Sequence, residues 1–345
     1  MTSLPSITSR TGGEPGVAGL PLGRVRGLQA CSSASGCFVI LAMDHRRNLR
    51  RELRPERPEA VTDEELVAFK QSVVRHLAPL STAVLLDPQY GLAQCLVSRA
   101  VPGATGLVVA LEATGYLGES SARRNILLEG WSVEAARRSG ADAVKLLVYY
   151  HPSARTAPDQ EALVVSTVEA CRRAEVPLFL EPLVYSPDPD RPLSADARRD
   201  AVFETARRLS ALGPDVLKIE LPVSPDADDL AMEAACRELD AASAVPWTIL
   251  SGGMAFDQFQ RATEIACRAG ASGVVVGRAV WGEAARSPAD ERSAFLAETG
   301  RSRLSTLRTI VDRVARPWWV RHPLGQLPEP SPDWYRSSGG SGSSG

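Results

Sequence analysis

The chain has 345 residues, with 39 Lys and Arg against 41 Asp and Glu and a net charge of -2. That balance gives no basic field for nucleic acid or an anionic membrane surface, and no stretch approaches the ~18 consecutive apolar residues of a membrane span. The first residues lack the basic and apolar regions of a signal peptide, and Cys31, Cys37, Cys95, Cys171, Cys236 and Cys267 show neither CxxC nor metal-finger spacing, so a cytoplasmic chain with reduced thiols is expected.

Residues 1–35 are rich in Gly, Ser and Pro without periodicity and read as a flexible arm. Short β-rich runs then alternate with helical segments: "CFVILAMD" (37–44), "TAVLLD" (82–87), "GLVVALE" (106–112), "AVKLLVYY" (143–150), "PLFLEPL" (177–183), "DVLKIELPV" (215–223), "PWTILSGG" (246–253) and "GVVVGRA" (273–279). Helical patterns separate most of them. Thr62 and Glu65 form a capping-box signature, and a further helix runs from a Ser194 cap toward Gly213. Eight continuous apolar strands alternating with helices match a (β/α)8 barrel, expected over 36–315. A doubly wound open sheet is the competitor, but the first strand leads into "DHRRNLRREL" and not into a Gly-rich nucleotide loop. The stretch 316–336 carries Trp318, Trp319 and Trp334 among prolines, as a docked tail or as a lid or subunit contact; 337–345, "SSGGSGSSG", resembles an engineered linker.

In such a barrel, catalytic groups project from the C-terminal ends of the strands. Asp44, Asp87, Glu112, Lys145, Glu181, Lys218, Glu220, Ser251 and Arg278 all fall at or near those ends. Lysine is informative because it occurs only at 70, 145 and 218, leaving 36 of the 39 basic residues as arginine. Lys145 and Lys218 interrupt buried strands, where an unpaired ammonium is disfavoured by several kcal/mol, so the amine is either paired or wanted neutral. Strand alternation puts Lys218 and Glu220 on one face, within reach of Lys145 and Glu181 from the two preceding strands. Two amines among several carboxylates suit Schiff-base chemistry: a neutral lysine attacks a ketone, and carboxylates such as Glu181 and Asp44 move the protons. The plainer alternative is a structural ion pair closing the barrel. Asp87 before Pro88 and Glu112 before a Gly-bearing loop are equally readable as turn caps.

"SGG" (Ser251, Gly252, Gly253) and "GR" (Gly277, Arg278) follow the seventh and eighth strands. Those two loops commonly form a barrel's phosphate site, with exposed backbone N–H groups and a charged fork from arginine, which points to a phosphorylated substrate.

Together "AMDHR", "LLDPQYGL", "LEATGY", "VKLLVYYHP", "LEPLVY", "DVLKIELPV", "PWTILSGG" and "GVVVGRAVW" resemble, in order, the segments of class I tagatose-1,6-bisphosphate aldolases, a family that includes sulfofructosephosphate aldolases, over residues 37–283. The resemblance implies metal-independent cleavage of a ketose 1-phosphate into dihydroxyacetone phosphate and an aldehyde, without a cofactor. By position it implies Lys218 as the Schiff-base lysine, Lys145 as the second lysine, Glu181 as acid/base and Asp44 beside the substrate hydroxyls. Ser251, Gly252, Gly277 and Arg278 fall on its anion-binding loops. Where the family reads Asp-Gln-Arg this chain has Asp44, His45 and Arg46, which leaves open whether the distal anion of the sugar is a phosphate or a sulfonate. A symmetric homo-oligomer is expected of such barrels.

Two other classes compete. A zinc-dependent aldolase needs several histidines, and of His45, His76, His151 and His322 two fall in a helix and in the tail. A barrel that senses sugar phosphates without turnover would not require Lys218, Lys145, Glu181 and Asp44 together.

Overall fold

A computed structural model describes residues 20–322. Eight strands, β1 (Phe38–Met43), β2 (Ala83–Leu86), β3 (Gly106–Ala110), β4 (Ala143–Tyr150), β5 (Leu178–Val184), β6 (Val216–Ile219), β7 (Trp247–Leu250) and β8 (Gly273–Val276), lie in chain order, each parallel to the next. Phe38 of β1 pairs with Gly273 of β8 and Leu41 with Val276, which closes the sheet into a barrel. All eight expected strands are present. Most are shorter than their apolar runs, because the polar residues at the ends leave the ladder for the loops.

Among the described residues, one helix, α1 (Leu22–Cys31), precedes the barrel. Between strands lie α2 (Arg47–Leu53) and α3 (Asp63–Leu77), α4 (Leu92–Val97), α5 (Val133–Arg138), α6 (Ala157–Ala174), α7 (Ala195–Ser210), α8 (Asp229–Ala242) and α9 (Phe256–Ala269). After β8 come α10 (Arg278–Arg286), α11 (Arg292–Phe295) and α12 (Arg301–Val314). The expected capping box opens α3: Glu65 N donates to Thr62 Oγ1 at 3.2 Å, and Thr62 N donates to the Glu65 carboxylate at 2.9 Å. Ser194 caps α7 by accepting from Ala197 N at 3.2 Å.

Strand alternation divides the apolar residues into two cores. Val39, Leu41, Val84, Leu86, Val144, Leu146, Val274 and Val276 face outward onto the helices. Phe38, Ile40, Leu85, Val108, Ala143, Phe179, Val216 and Val275 fill the lower interior, where Phe38 and Phe179 meet edge to face at 5.3 Å. Above that plug the same inward positions become Asp44, Glu112, Lys145, Glu181 and Lys218.

The two ends of the described chain close the N-terminal mouth. Residues 22–31, expected to belong to a flexible arm, form α1, and Val25, Leu28 and Cys31 join the interior core. The correction has a packing cause: Gly27 lets α1 lie against the barrel, since a Cβ there would stand 2.2 Å from the Asp142 carbonyl oxygen. Arg24 is the buried tie, donating through Nε at 3.0 Å and Nη2 at 2.5 Å to Asp215 Oδ1. Residues 316–322, the described part of the tail, dock at the same mouth: Trp318 is fully buried in the interior core, its Nε1 donates to Ser32 Oγ at 3.2 Å, and a His322 ring nitrogen contacts the Asp215 carbonyl oxygen at 2.8 Å. Trp334 and the linker-like 337–345 lie outside the described residues. Among the described residues, no helix is long and apolar enough to cross a membrane.

Candidate active site

The open end of the barrel holds a cavity of about 730 Å³. Lys145, which rises from the middle of β4, is almost wholly buried, and its Nζ stands 2.6 Å from Glu112 Oε1, 2.7 Å from Glu181 Oε2 and 2.9 Å from Asp44 Oδ2. Glu181 reaches both amines, because its Oε1 is 2.7 Å from Lys218 Nζ on β6. Lys145 therefore holds Glu181 Oε2 as Lys218 holds Oε1, and the one carboxylate bridges the two amines. Two amines and three carboxylates thus meet in one wall of the cavity.

The electrostatics separate the lysines. Burial alone disfavours the Lys145 ammonium, but Asp44, Glu112 and Glu181 together outweigh it and hold its pKa well above the ordinary lysine value, so it stays charged. Lys218 has one carboxylate partner. For Asp44 burial acts upward, and Lys145, Lys218 and His45 outweigh it, holding the carboxyl well below the usual range. Glu181 is lowered in the same way, burial being outweighed by Lys145 and Lys218.

His45 packs its ring edge to face on Trp281, centroids 5.0 Å apart, and its Nδ1 lies 3.7 Å from Asp44 Oδ1, too far for a hydrogen bond. That buried Nδ1 has no partner within the protein. Burial, with help from Arg278, Lys218 and Lys70, outweighs Asp44 and lowers the imidazole to about 4, which leaves it neutral at pH 7. Arg46 lines the cavity but is engaged on both sides, donating to Gln89 Oε1 at 3.0 Å and to the Glu112 carbonyl oxygen at 2.6 Å. Glu112 is held in turn by Leu147 N at 3.0 Å.

Ser251, Gly252, Gly277 and Arg278 line the opposite side. Gly252 and Gly253 take positive φ, 55° and 93°, which lets the chain turn sharply after β7. Gly253 stands behind Arg278 and does not line the cavity itself; a Cβ there would be 3.6 Å from an Arg278 nitrogen. Glu52 of α2 steadies the Arg278 guanidinium at 3.3 Å and also pairs with Arg286 at 2.8 Å.

Besides Gly253, the expectation for Asp87 changes. Asp87 does not reach the cavity: β2 ends at Leu86, so the inward alternation stops, and Asp87 is fully buried against Lys70 of α3. Its second oxygen accepts from Tyr90 N at 2.8 Å, and Lys70 also donates to the Met43 carbonyl oxygen at 2.7 Å, so the pair is structural and complete. Glu220 does share the cavity with Lys218, but its carboxylate is taken by Arg198 at 3.0 Å and Val184 N at 2.8 Å rather than by the lysine. Missed by the sequence reading were Arg47, Asn48 and Arg51 on α2 and Tyr116 and Tyr149 on the β3 and β4 side. The i, i+4 spacing of Arg47 and Arg51 and the alternation from Lys145 through Leu147 to Tyr149 were signals for them. Among the described residues no three His, Cys, Asp or Glu side chains are grouped as metal ligands.

Comparison with known proteins gives a consistent picture. A family model described as DeoC/LacD family aldolase matches residues 38–283. A protein named tagatose 1,6-diphosphate aldolase 2 from Streptococcus pyogenes serotype M3 is 30% identical over 310 residues, covering 83% of this chain and 94% of the relative. Tagatose 1,6-diphosphate aldolase from Streptococcus agalactiae serotype V is 31% identical over 327 residues, 88% of this chain and 100% of the relative. Solved structures share the barrel: a Schiff-base-forming fructose-1,6-bisphosphate aldolase superposes with a TM-score of 0.54 at 17% identity over 84% of this chain and 98% of its own. Fructose-bisphosphate aldolase from Plasmodium falciparum gives 0.67 at 13% identity over 87% and 98%. With its family model spanning the whole barrel, the chain belongs to the DeoC/LacD family of aldolases and is a carbon–carbon lyase of the aldehyde-lyase kind.

Proposed function

We propose that the protein is a class I aldolase that cleaves a ketose 1-phosphate, such as tagatose 1,6-bisphosphate, into dihydroxyacetone phosphate and an aldehyde through a Schiff base on Lys218, with no metal step. The observation that carries this is the shared carboxylate: Glu181 stands 2.7 Å from each amine, while Lys145 alone is surrounded by three carboxylates. An amine attacks only after losing its proton, and Glu181 is the acceptor beside Lys218. Lys218 Nζ adds to the C2 carbonyl to form a carbinolamine. Glu181 returns a proton to the C2 hydroxyl, which leaves as water and gives the iminium. A carboxylate then takes the proton of the C4 hydroxyl, the C3–C4 bond breaks, and its electron pair moves into the iminium to form an enamine as the aldehyde departs. Protonation at C3 and addition of water release dihydroxyacetone phosphate and restore the amine. Lys145, charged throughout, offsets the carboxylates and orients Glu181 and Asp44 toward the substrate hydroxyls. Ser251, Gly252, Gly277 and Arg278 hold the C1 phosphate.

A second reading of the substrate, a sulfonated sugar phosphate, is supported by His45 alone, whose ring stands where the family has glutamine and whose Nδ1 has no partner within the protein. The primary test is borohydride reduction with dihydroxyacetone phosphate followed by peptide mass spectrometry. A stable adduct on Lys218 is expected. An adduct on Lys145 exchanges the lysine roles, and no adduct on either removes the aldolase chemistry in favour of a sugar-phosphate sensor. Cleavage assays with tagatose 1,6-bisphosphate and with sulfofructose phosphate then separate the two substrates.

A further inference from the structure

The two sides of the cavity differ in chemistry. Every arginine that lines it, Arg46, Arg47, Arg51 and Arg278, comes from the segments after β1 and β8. Across the cavity, beyond Lys145 and Glu181, the lining carries two tyrosines, Tyr149 of β4 and Tyr116 of the loop after β3, among small and aliphatic residues such as Thr114 and Leu147. Their rings meet edge to face, centroids 5.3 Å apart. Behind them, outside the cavity lining, Arg123 places its guanidinium carbon 4.8 Å from the Tyr116 ring centroid, 5.2 Å from that of Tyr149 and 4.6 Å from that of Tyr185. The guanidinium is itself fixed, with Nε donating to the Ser120 carbonyl oxygen at 3.1 Å, and Arg123 N donates to Tyr185 Oη at 3.2 Å.

The loop carrying Tyr116 and Arg123 is a braced element. Antiparallel bridges join Glu112 to Leu127 and Leu117 to Arg124. Buried Asn125 ties it to the barrel by accepting from Tyr149 N at 2.6 Å and by donating from its own backbone N to Gln160 Oε1 at 3.1 Å. The same cation lies over both of the rings that line the cavity.

Resting on the aldolase reading, we infer that Tyr116 and Tyr149 form the wall that receives the aldehyde half of the substrate, and that Arg123 is a positioning residue holding both rings. The chain of the substrate fixes the direction. Its C2 is bonded to Lys218 and its C1 phosphate lies at the β7 and β8 loops, so C4 and the carbons beyond it run over Glu181 toward β4 and β3. Aromatic faces suit the C–H faces of that segment, and the phenol hydroxyls suit its hydroxyl groups. Dihydroxyacetone phosphate, which stays on the Lys218 side, does not touch this wall.

The test is steady-state synthesis from dihydroxyacetone phosphate and glyceraldehyde 3-phosphate. In Arg123→Met, KM for the aldehyde rises roughly five- to tenfold, the size that loss of a cation–π contact supports, while KM for dihydroxyacetone phosphate stays within about twofold. Arg123→Lys, which keeps a cation over the rings, recovers part of the loss. Because Arg123→Met also removes packing, Tyr116→Leu at the accessible rim serves as the second variant and shows the same aldehyde-specific rise. Equal rises in both KM values, or no change in either variant, overturn the wall. Trapping on wild-type Lys218 by dihydroxyacetone phosphate and borohydride keeps the two failures apart: absence of the adduct sinks the aldolase reading, whereas an adduct with unchanged aldehyde KM sinks only the wall.

Discussion

The two ends of the barrel interior bury charge in opposite ways. At the closed mouth, Asp215 is fully buried, yet Arg24 donates twice to one oxygen and Leu178 N donates to the other at 2.8 Å. At the open end, His45 Nδ1 is buried without a hydrogen bond, and Glu181 is shared between two amines beside the cavity. Burial pushes the Asp215 carboxyl up despite Arg24, while Asp44 and Glu181 are pulled down by two ammonium groups. A buried charge therefore does not mark a site by itself. What distinguishes the open end is polar capacity left unfilled beside a cavity, where a substrate can complete it. Lys70 and Asp87 make the same point from outside the barrel, as a buried pair with every contact supplied by the protein.

The sharpest way to break this contrast is Lys145→Met. Removing the central cation leaves three carboxylates facing one another, and a broken buried pair costs about 3–5 kcal/mol of stability; kcat should fall roughly 10²- to 10⁴-fold, the range of lost acid–base assistance. The acid response follows from the lowered carboxyls. With folded values below the unfolded ones, Asp44 and Glu181 contribute stability that is fully present above their unfolded values near pH 4 and lost as pH falls through their folded values. Lys145→Met lets both rise, so that contribution shrinks and acid unfolding begins at higher pH. Denaturant titrations at several pH values read this directly, and an unshifted acid limb contradicts the cluster electrostatics.

Trp318→Ala tests the closed mouth. Deleting a fully buried Trp is expected to cost about 3–5 kcal/mol, with KM and kcat of the folded fraction unchanged. A changed KM would mean that the tail communicates with the cavity. The smallest effect expected is that of His45→Gln. An imidazole lowered to about 4 does not titrate between pH 5.5 and 8, so the pH profile of kcat/KM keeps its shape there, and loss of one neutral hydrogen bond changes its height by about tenfold or less. A profile that loses an ionisation near pH 6.5 in this variant would show that the histidine is charged in the working enzyme.

The sequence by itself determined the barrel. Strands buried on both faces must read as unbroken apolar runs, helices between them carry their own caps at Thr62 and Ser194, and a lysine inside such a run is conspicuous in a chain with three. Alternation puts Ala143 with Lys145, and Val216 with Lys218, on one face of each strand, and only the closed barrel shows that this face is the interior. Tertiary structure decided the rest, because it depends on which groups meet across strands. Asp87 looked equivalent to Asp44 at a strand end, but only the fold brings Lys70 to it. Residues 22–31 carry Leu22, Val25, Leu28 and Cys31 at three-residue spacing, but Gly23 and Gly27 weaken the helical signal, and the segment is ordered by a mouth of the barrel that exists only once β1 to β8 have closed. The separation of Lys145, ringed by three carboxylates, from Lys218, facing one, is likewise a property of the closed barrel, since charges from β1, β3 and β5 converge on β4 only there.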